Sequence, residues 1–202
     1  MDAGRAALSR RDPRREFPMA RIIIVGDGPG GLSAALFLAR GGHDAEVYGL
    51  DKTAMHYAQL NNYLGVPSIS GTEFQQQARE QAKAAGAAVR AAEVTAVAAT
   101  DEAVTATLST GETRKAEYLL LSEGRSPVLA RNLGLAETPA GAIAVDPEAR
   151  SSHPRVYVVG RSVRPSRSQA IISAGDGAKA ALDILAREAG KDVQDWDRPP
   201  AE

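Results

Sequence analysis

The sequence predicts an α/β domain in which a parallel sheet carries an added β-meander and a closing C-terminal helix. Three observations carry this. The β-branched run Ile22 to Val25 leads directly into glycines at 26, 28 and 31, and then into a small-residue amphipathic stretch, Leu32 to Ala39. That is the pattern of strand, tight turn and helix. A second apolar run without alternation, Val156-Tyr-Val-Val159, ends at Gly160, as a strand buried on both faces does. Between them lie runs that alternate apolar and polar residues, joined by turn residues, which read as a meander with one wet face.

Taken in order, strand 22–25 is followed by a helix over 30–40 that stops at Gly41-Gly42, a C-cap pair. In such a Rossmann-like unit Gly26 makes the tight turn, Gly28 admits a pyrophosphate, and Gly31 lets the helix pack on the strand. The helix N-terminus then faces the phosphates. A strand over 45–49 follows, and Asp51 stands 20 residues beyond Gly31, where these folds place a carboxylate on the adenosine ribose. Residues 52–72 form a polar loop long enough to be functional. Thr72 with Gln75 reads as a capping box for a helix that runs to about Ala85 and closes at Gly86. Three strand-like runs come next, Ala88–Ala99, Ala103–Leu108 and Arg114–Leu121, the last ending in a buried Tyr-Leu-Leu-Leu. Then follow a short helix at Val128–Leu133, a hairpin-like piece at Ile143–Val145, the strand 156–159 and a helix over 169–189. The constellation points to a bound dinucleotide or adenine nucleotide; the other reading is an ordinary glycine turn.

Composition bounds the rest. The chain has 202 residues, 44% hydrophobic but only 4% aromatic, so its core is built of Ala, Val, Leu and Ile. A net charge of −1 gives no footing for nucleic acid or an acidic membrane, and no stretch is long and apolar enough to span a bilayer. There is no cysteine, which excludes disulfides, thiolate catalysis and cysteine metal sites within the chain. Residues 1–18 are rich in Arg and read as a disordered extension, 19–192 as a single domain, and 193–202 as a tail in which Trp196 packs on the domain or on a second subunit. The protein is expected in the cytoplasm.

The order of motifs resembles one known group. After the glycine loop and the acidic residue come Asn62-Tyr-Leu-Gly-Val-Pro67, the meander, a short glycine motif, Val156-Tyr-Val-Val-Gly160 and Gln169-Ala-Ile-Ile-Ser-Ala-Gly-Asp-Gly177. This sequence, over about residues 20–190, resembles the thioredoxin reductase family, among the two-dinucleotide-binding-domain flavoproteins. The resemblance implies an FAD-binding Rossmann-like domain over 19–192. Gly26, Gly28 and Gly31 would hold the FAD pyrophosphate, Asp51 the adenosine ribose, and Asn62 would approach the middle of the cofactor. Val94 matches the backbone beside the adenine, and Gly124 the glycine ending the meander. Gly160 matches the glycine below the ribityl chain, and Gln169 with Ala170 the pair beneath the isoalloxazine. It also implies FAD as cofactor, a homodimer, and a separate electron donor or acceptor that the sequence does not name.

The departures are specific. A full-length member inserts an NADPH domain, on the order of 100–150 residues, where this meander runs straight on, and with that domain goes the family's redox Cys pair. The family's Ala-Thr-Gly is Ser122-Glu123-Gly124, its Gly-Asp is Gly160-Arg161, and the Arg before Gln-Ala is Ser168. A guanidinium cannot accept the hydrogen bond that a carboxylate takes from a ribityl hydroxyl. Arg161 therefore either reaches a phosphate in the Asp's place or points to solvent beside a decayed flavin site. Glu123 is expected to pair with Arg161 or Arg125.

Elsewhere the residues are bland. His43, His56 and His153 lack metal-ligand spacing and read as loop residues, with His56 and Tyr57 on the cofactor-side loop. Ser33 and Ser173 have no histidine partner in view, which removes support for nucleophilic catalysis. Two functions follow: a single-domain FAD flavoprotein in oxidoreduction or electron transfer, unable to exchange disulfides, or a non-catalytic nucleotide- or partner-binding module with a degenerate flavin site.

Overall fold

Ile22, Ile23 and Ile24 are all fully buried, so the strand they occupy, β1 (Arg21–Val25), must be covered on both faces. Our computed structural model describes residues 19–193; the expected extension over 1–18 and the packing of Trp196 lie outside them. β1 lies at the centre of a five-stranded parallel sheet. Beside it run β2 (Asp44–Gly49) and then β5 (Ala88–Ala91) on one side, and β9 (Tyr118–Leu121) and then β10 (Val156–Val158) on the other. Because every pairing is parallel, all five carboxyl ends meet at one edge, where open α/β sheets bind ligands.

Alternation along β1 separates two layers. Ile22 and Ile24 face a cluster containing Leu32, Ala34, Ala35 and Leu38 of α1 (Pro29–Arg40), Ala82 of α2 (Gly71–Ala84), and Ala180, Ala181 and Ile184 of α4 (Ala170–Ala189). Ile23 and Val25 face a second cluster, made with the meander β6 (Val94–Ala99), β7 (Val104–Leu108) and β8 (Thr113–Ala116) and with α3 (Val128–Asn132). With few aromatics available, the helices close the gap with small residues: a Cβ on Gly177 of α4 would lie 2.0 Å from the Gly30 carbonyl oxygen of α1.

Three expectations need correction. The run Ala88–Ala99 is two strands: β5 pairs with β2 in the main sheet, and the chain leaves at Ala92-Glu93 to begin the meander with β6. Likewise Arg114–Leu121 changes sheet at exposed Glu117, so β8 closes the meander while β9 separates β1 from β10. One strand cannot serve two sheets, and the burial pattern marks the exchange, half-wet in β8 but buried throughout in β9. Second, α2 is capped two residues earlier than expected. The Ser70 hydroxyl accepts from the Glu73 amide, while Gln75 is 1% exposed and points into the protein. Third, Ile143–Val145 is no strand; Ile143 makes one isolated bridge to Glu137. The long loop carries a 3-10 turn, Ala54–Tyr57, and a minimal hairpin of β3 (Gln59–Leu60) and β4 (Ile69–Ser70). Among the described residues no helix is long and apolar enough to cross a membrane.

Candidate dinucleotide site at the sheet edge

The carboxyl edge opens into a cavity of about 650 Å³. The turns after all five strands and the start of α4 line it. Of the residues nominated from sequence, Gly26, Gly28, Asn62, Val94, Gly124, Gly160, Arg161, Gln169 and Ala170 all face this one space, though they come from five separate stretches of chain. Asn62 and Gln169 meet directly, Nδ2 donating to Oε1 at 3.3 Å.

The glycines of the first turn divide the work as their spacing implies. Gly26 has φ +100° and approaches β9 so closely that a Cβ would lie 2.2 Å from the Ser122 carbonyl oxygen. Gly31 does not line the cavity; it packs α1 on the turn, with a Cβ position 2.0 Å from the Gly26 carbonyl oxygen. Gly28 is different. A Cβ there would meet only Thr53 Oγ1, at 3.5 Å, so its freedom serves the cavity and not the fold. Gly28 is also the N-cap of α1, which has Pro29 in its first turn and no side-chain cap, leaving a positive helix end for an anion.

Asp51 does not line the cavity. It adopts φ 57°, and its carboxylate takes a hydrogen bond from Gln75 Nε2 at 3.3 Å and lies 3.3 Å from His56 Nε2. Behind the glycine loop it joins a network the sequence did not reveal. Asp27, 4% exposed, pairs with Arg79 and accepts from the Asp51 amide at 3.0 Å, while Gln75 donates to the Asp27 carbonyl at 2.5 Å. Gly49 makes room, since a Cβ there would lie 2.4 Å from the Asp27 carboxyl carbon. A glycine inside the apolar run of β2 was the available signal. The pairing matters because an unanswered carboxylate beside Gly28 would repel a phosphate.

Glu123 pairs with neither Arg161 nor Arg125. Its two carboxyl oxygens accept from the amides of Leu129 (2.7 Å) and Ala130 (3.0 Å), capping α3, whose own N-cap residue is Pro127 and supplies no side-chain cap. Burial pushes its pKa upward, against the pull of those amides. Tyr48, also on the cavity wall, is raised to about 12 by burial and by its hydrogen bond to Glu46. Lys52, Arg125 and Ser168 complete the polar wall and were not nominated as contacts.

The histidines behave as loop residues. His43 Nδ1 accepts from the Ala20 amide, His56 bridges Thr72 and Asp51, and His153 Nδ1 accepts from the Arg155 amide. Among the described residues no cluster of His, Asp and Glu is grouped to hold a metal.

Comparison with known proteins agrees with this geometry. Residues 64–177 match the family described as pyridine nucleotide-disulphide oxidoreductase, a span that includes Val94, Gly124, Gly160, Arg161, Gln169 and Ala170. A thioredoxin reductase of Spironucleus barkhanus is 34% identical over 82 residues, covering 39% of this chain and 27% of that protein. A bifunctional thioredoxin reductase/thioredoxin of Mycobacterium leprae (strain TN) is 30% identical over 118 residues, covering 56% of this chain and 26% of its own length. The chain thus spans about a quarter of the length of these curated relatives. Among solved structures, a thioredoxin reductase from Gloeobacter violaceus superposes with TM-score 0.78 at 18% identity, over 91% of this chain and 100% of that one. A putative thioredoxin reductase from Bacillus anthracis gives 0.77 at 12% identity, over 84% and 99%. These last two show the shared fold, and with the sequence match over 64–177 they lead to one conclusion: the chain belongs to the pyridine nucleotide-disulphide oxidoreductase family.

Proposed function

We propose that this chain is an FAD-binding unit with an oxidoreductase or electron-transfer role. The observation that supports this reading best is the convergence of the nominated residues, all but Gly31 and Asp51, on one cavity at the carboxyl edge of the sheet. The residues present fit a dinucleotide. Gly28 leaves open space where a pyrophosphate must approach, the uncapped start of α1 supplies amides and a positive dipole, and Arg161 presents a buried guanidinium nitrogen without a partner. Val94 and Leu50 line the cavity near β2 and β5, apolar walls for an adenine, while Asn62, Gln169 and Ala170 line it where α4 begins. When bound, the isoalloxazine supplies the electron-transfer chemistry. The protein supplies position and charge. With no cysteine among its 202 residues, this chain exchanges no disulfide itself. The same reading carries a cytoplasmic homodimer, for which Tyr57 (95% exposed) and Leu64 (89%) offer apolar contacts.

One observation favours the second reading, a module that binds another nucleotide or a protein partner. Asp51, the expected ribose acceptor, is off the cavity lining, and its Oδ1 is already engaged by Gln75 and His56. Titration of the purified protein with FAD, followed by flavin fluorescence and visible absorbance, separates the two. The FAD reading expects saturable binding that Gly28→Val abolishes with the circular dichroism spectrum unchanged, because the added methyl groups enter the cavity and not the core. No binding by the parent protein leaves the second reading.

A further inference from the structure

The charges lining the cavity do not balance within the protein. Asp27 is answered by Arg79, and Glu123 is used by the amides of α3. That leaves the Glu93 carboxylate against three cations, Lys52, Arg125 and Arg161, none with a hydrogen bond or ion pair among the described residues. Lys52 and Arg125 are exposed, where water serves them. Arg161 is not. It is half-buried, and its Nε is sealed from solvent with no acceptor. A buried guanidinium N–H without an acceptor is costly, and the guanidinium fork matches a phosphate in bidentate geometry.

The topology says which phosphate. Arg161 follows Gly160 at the end of β10, which is separated from β1 by β9 on the side away from β2 and β5. Two strand spacings put that turn about 10 Å along the edge from the glycine loop. In this class of fold the first strand-helix-strand unit, here β1, α1 and β2, takes the adenosine half. Arg161 stands on the other half. We propose that Arg161 binds the phosphate on the flavin side of the ligand, so that this end of the cavity selects phosphorylated flavins. The proposal rests on the FAD reading above. It also fits the exchange of the family's carboxylate for a guanidinium at this position: a hydroxyl acceptor is lost and a phosphate donor gained.

Titrating the parent protein and Arg161→Gln with FAD, FMN, riboflavin and AMP tests it, with fluorescence for the flavins and calorimetry for AMP. FAD and FMN should lose roughly 10- to 100-fold in affinity, while riboflavin and AMP, which lack the flavin-side phosphate, change by less than about twofold. Arg161→Lys, which keeps the charge but loses the fork, should recover part of the loss. FAD and AMP alone suffice if the smaller flavins bind too weakly to measure. Unchanged FAD affinity in Arg161→Gln overturns the proposal, as does tighter binding in Arg161→Asp or an equal loss for FAD and AMP. If the parent protein binds none of the four, the FAD reading fails first and takes the proposal with it; if it binds FAD and the variant is indifferent, the proposal alone fails.

Discussion

The two ends of the sheet's carboxyl edge treat charge in opposite ways. Beneath the β1–β2 end, Asp27 is paired with Arg79, Gln75 joins Asp27 to Asp51, and His56 holds Asp51 from outside. At the β10 end, Arg161 keeps a buried nitrogen with no partner, and nearby Arg125 is exposed to solvent. A network whose charges are answered within the protein supports the fold and needs no ligand, even though Gln75 Oε1 finds no partner in it. A buried donor left open has a cost that a ligand can offset. The same contrast runs along β10 itself. Tyr157, buried within the strand, donates to Asp183 at 2.5 Å, and Asp183 also takes two hydrogen bonds from Arg150. Three residues beyond the end of β10, Arg161 has none.

Substitutions at these places sharpen the contrast in order of expected cost. Replacing Arg79 with Met should be worst, because it leaves Asp27, whose side chain is 6% exposed, charged and unpaired. A loss of about 3–5 kcal/mol in urea unfolding is expected; a loss under about 1 kcal/mol would mean water replaces the guanidinium. Next comes Asp183→Asn, at roughly 2–3 kcal/mol, discounted from the fully buried case because the Arg150 side chain is 41% exposed. Burial raises the Asp183 carboxyl, but the hydrogen bonds from Arg150 and Tyr157 outweigh it and hold its pKa below the usual 3.8. Its stabilising contribution is therefore complete above the ordinary carboxylate range and is lost as pH falls through the depressed value. The stability difference between parent and variant should shrink below about pH 4, and a difference that persists in acid would locate the effect elsewhere. The smallest effect belongs to Arg161→Gln. With no partner to lose and an unanswered buried N–H removed, it should not destabilise the protein and should gain at most about 1 kcal/mol. A large drop in melting temperature would mean that Arg161 supports the fold, and the contrast would collapse.

Local signals reached far into this molecule because they are backbone requirements. The turn at Gly26 needs a positive φ and closes on Ser122, and the apolar runs 22–25, 118–121 and 156–159 do not alternate because the sheet is covered on both faces. Glu123 escaped for the opposite reason. Nothing in Ser-Glu-Gly marks its side chain for helix-capping, since the acceptor sits five residues before a helix whose N-cap is a proline. The strand runs 88–99 and 114–121 were visible but joined, because propensity records that a segment is extended and not which sheet receives it.

By itself, the sequence determined the α/β class, the glycine turn, helices it placed over 30–40 and 169–189, and nine of the eleven nominated residues as lining one cavity. Each follows from periodicity, from a turn geometry or from a motif confined to a short stretch of chain. The tertiary structure alone decided that β9 lies between β1 and β10, that Asp51 turns toward Gln75 and His56, and that Arg161 is left without a partner. Those facts depend on which distant side chains arrive beside a given atom. Gln75 and Arg79 meet Asp27 from 48 and 52 residues away, and no local pattern encodes which charge will be answered and which will wait for a ligand.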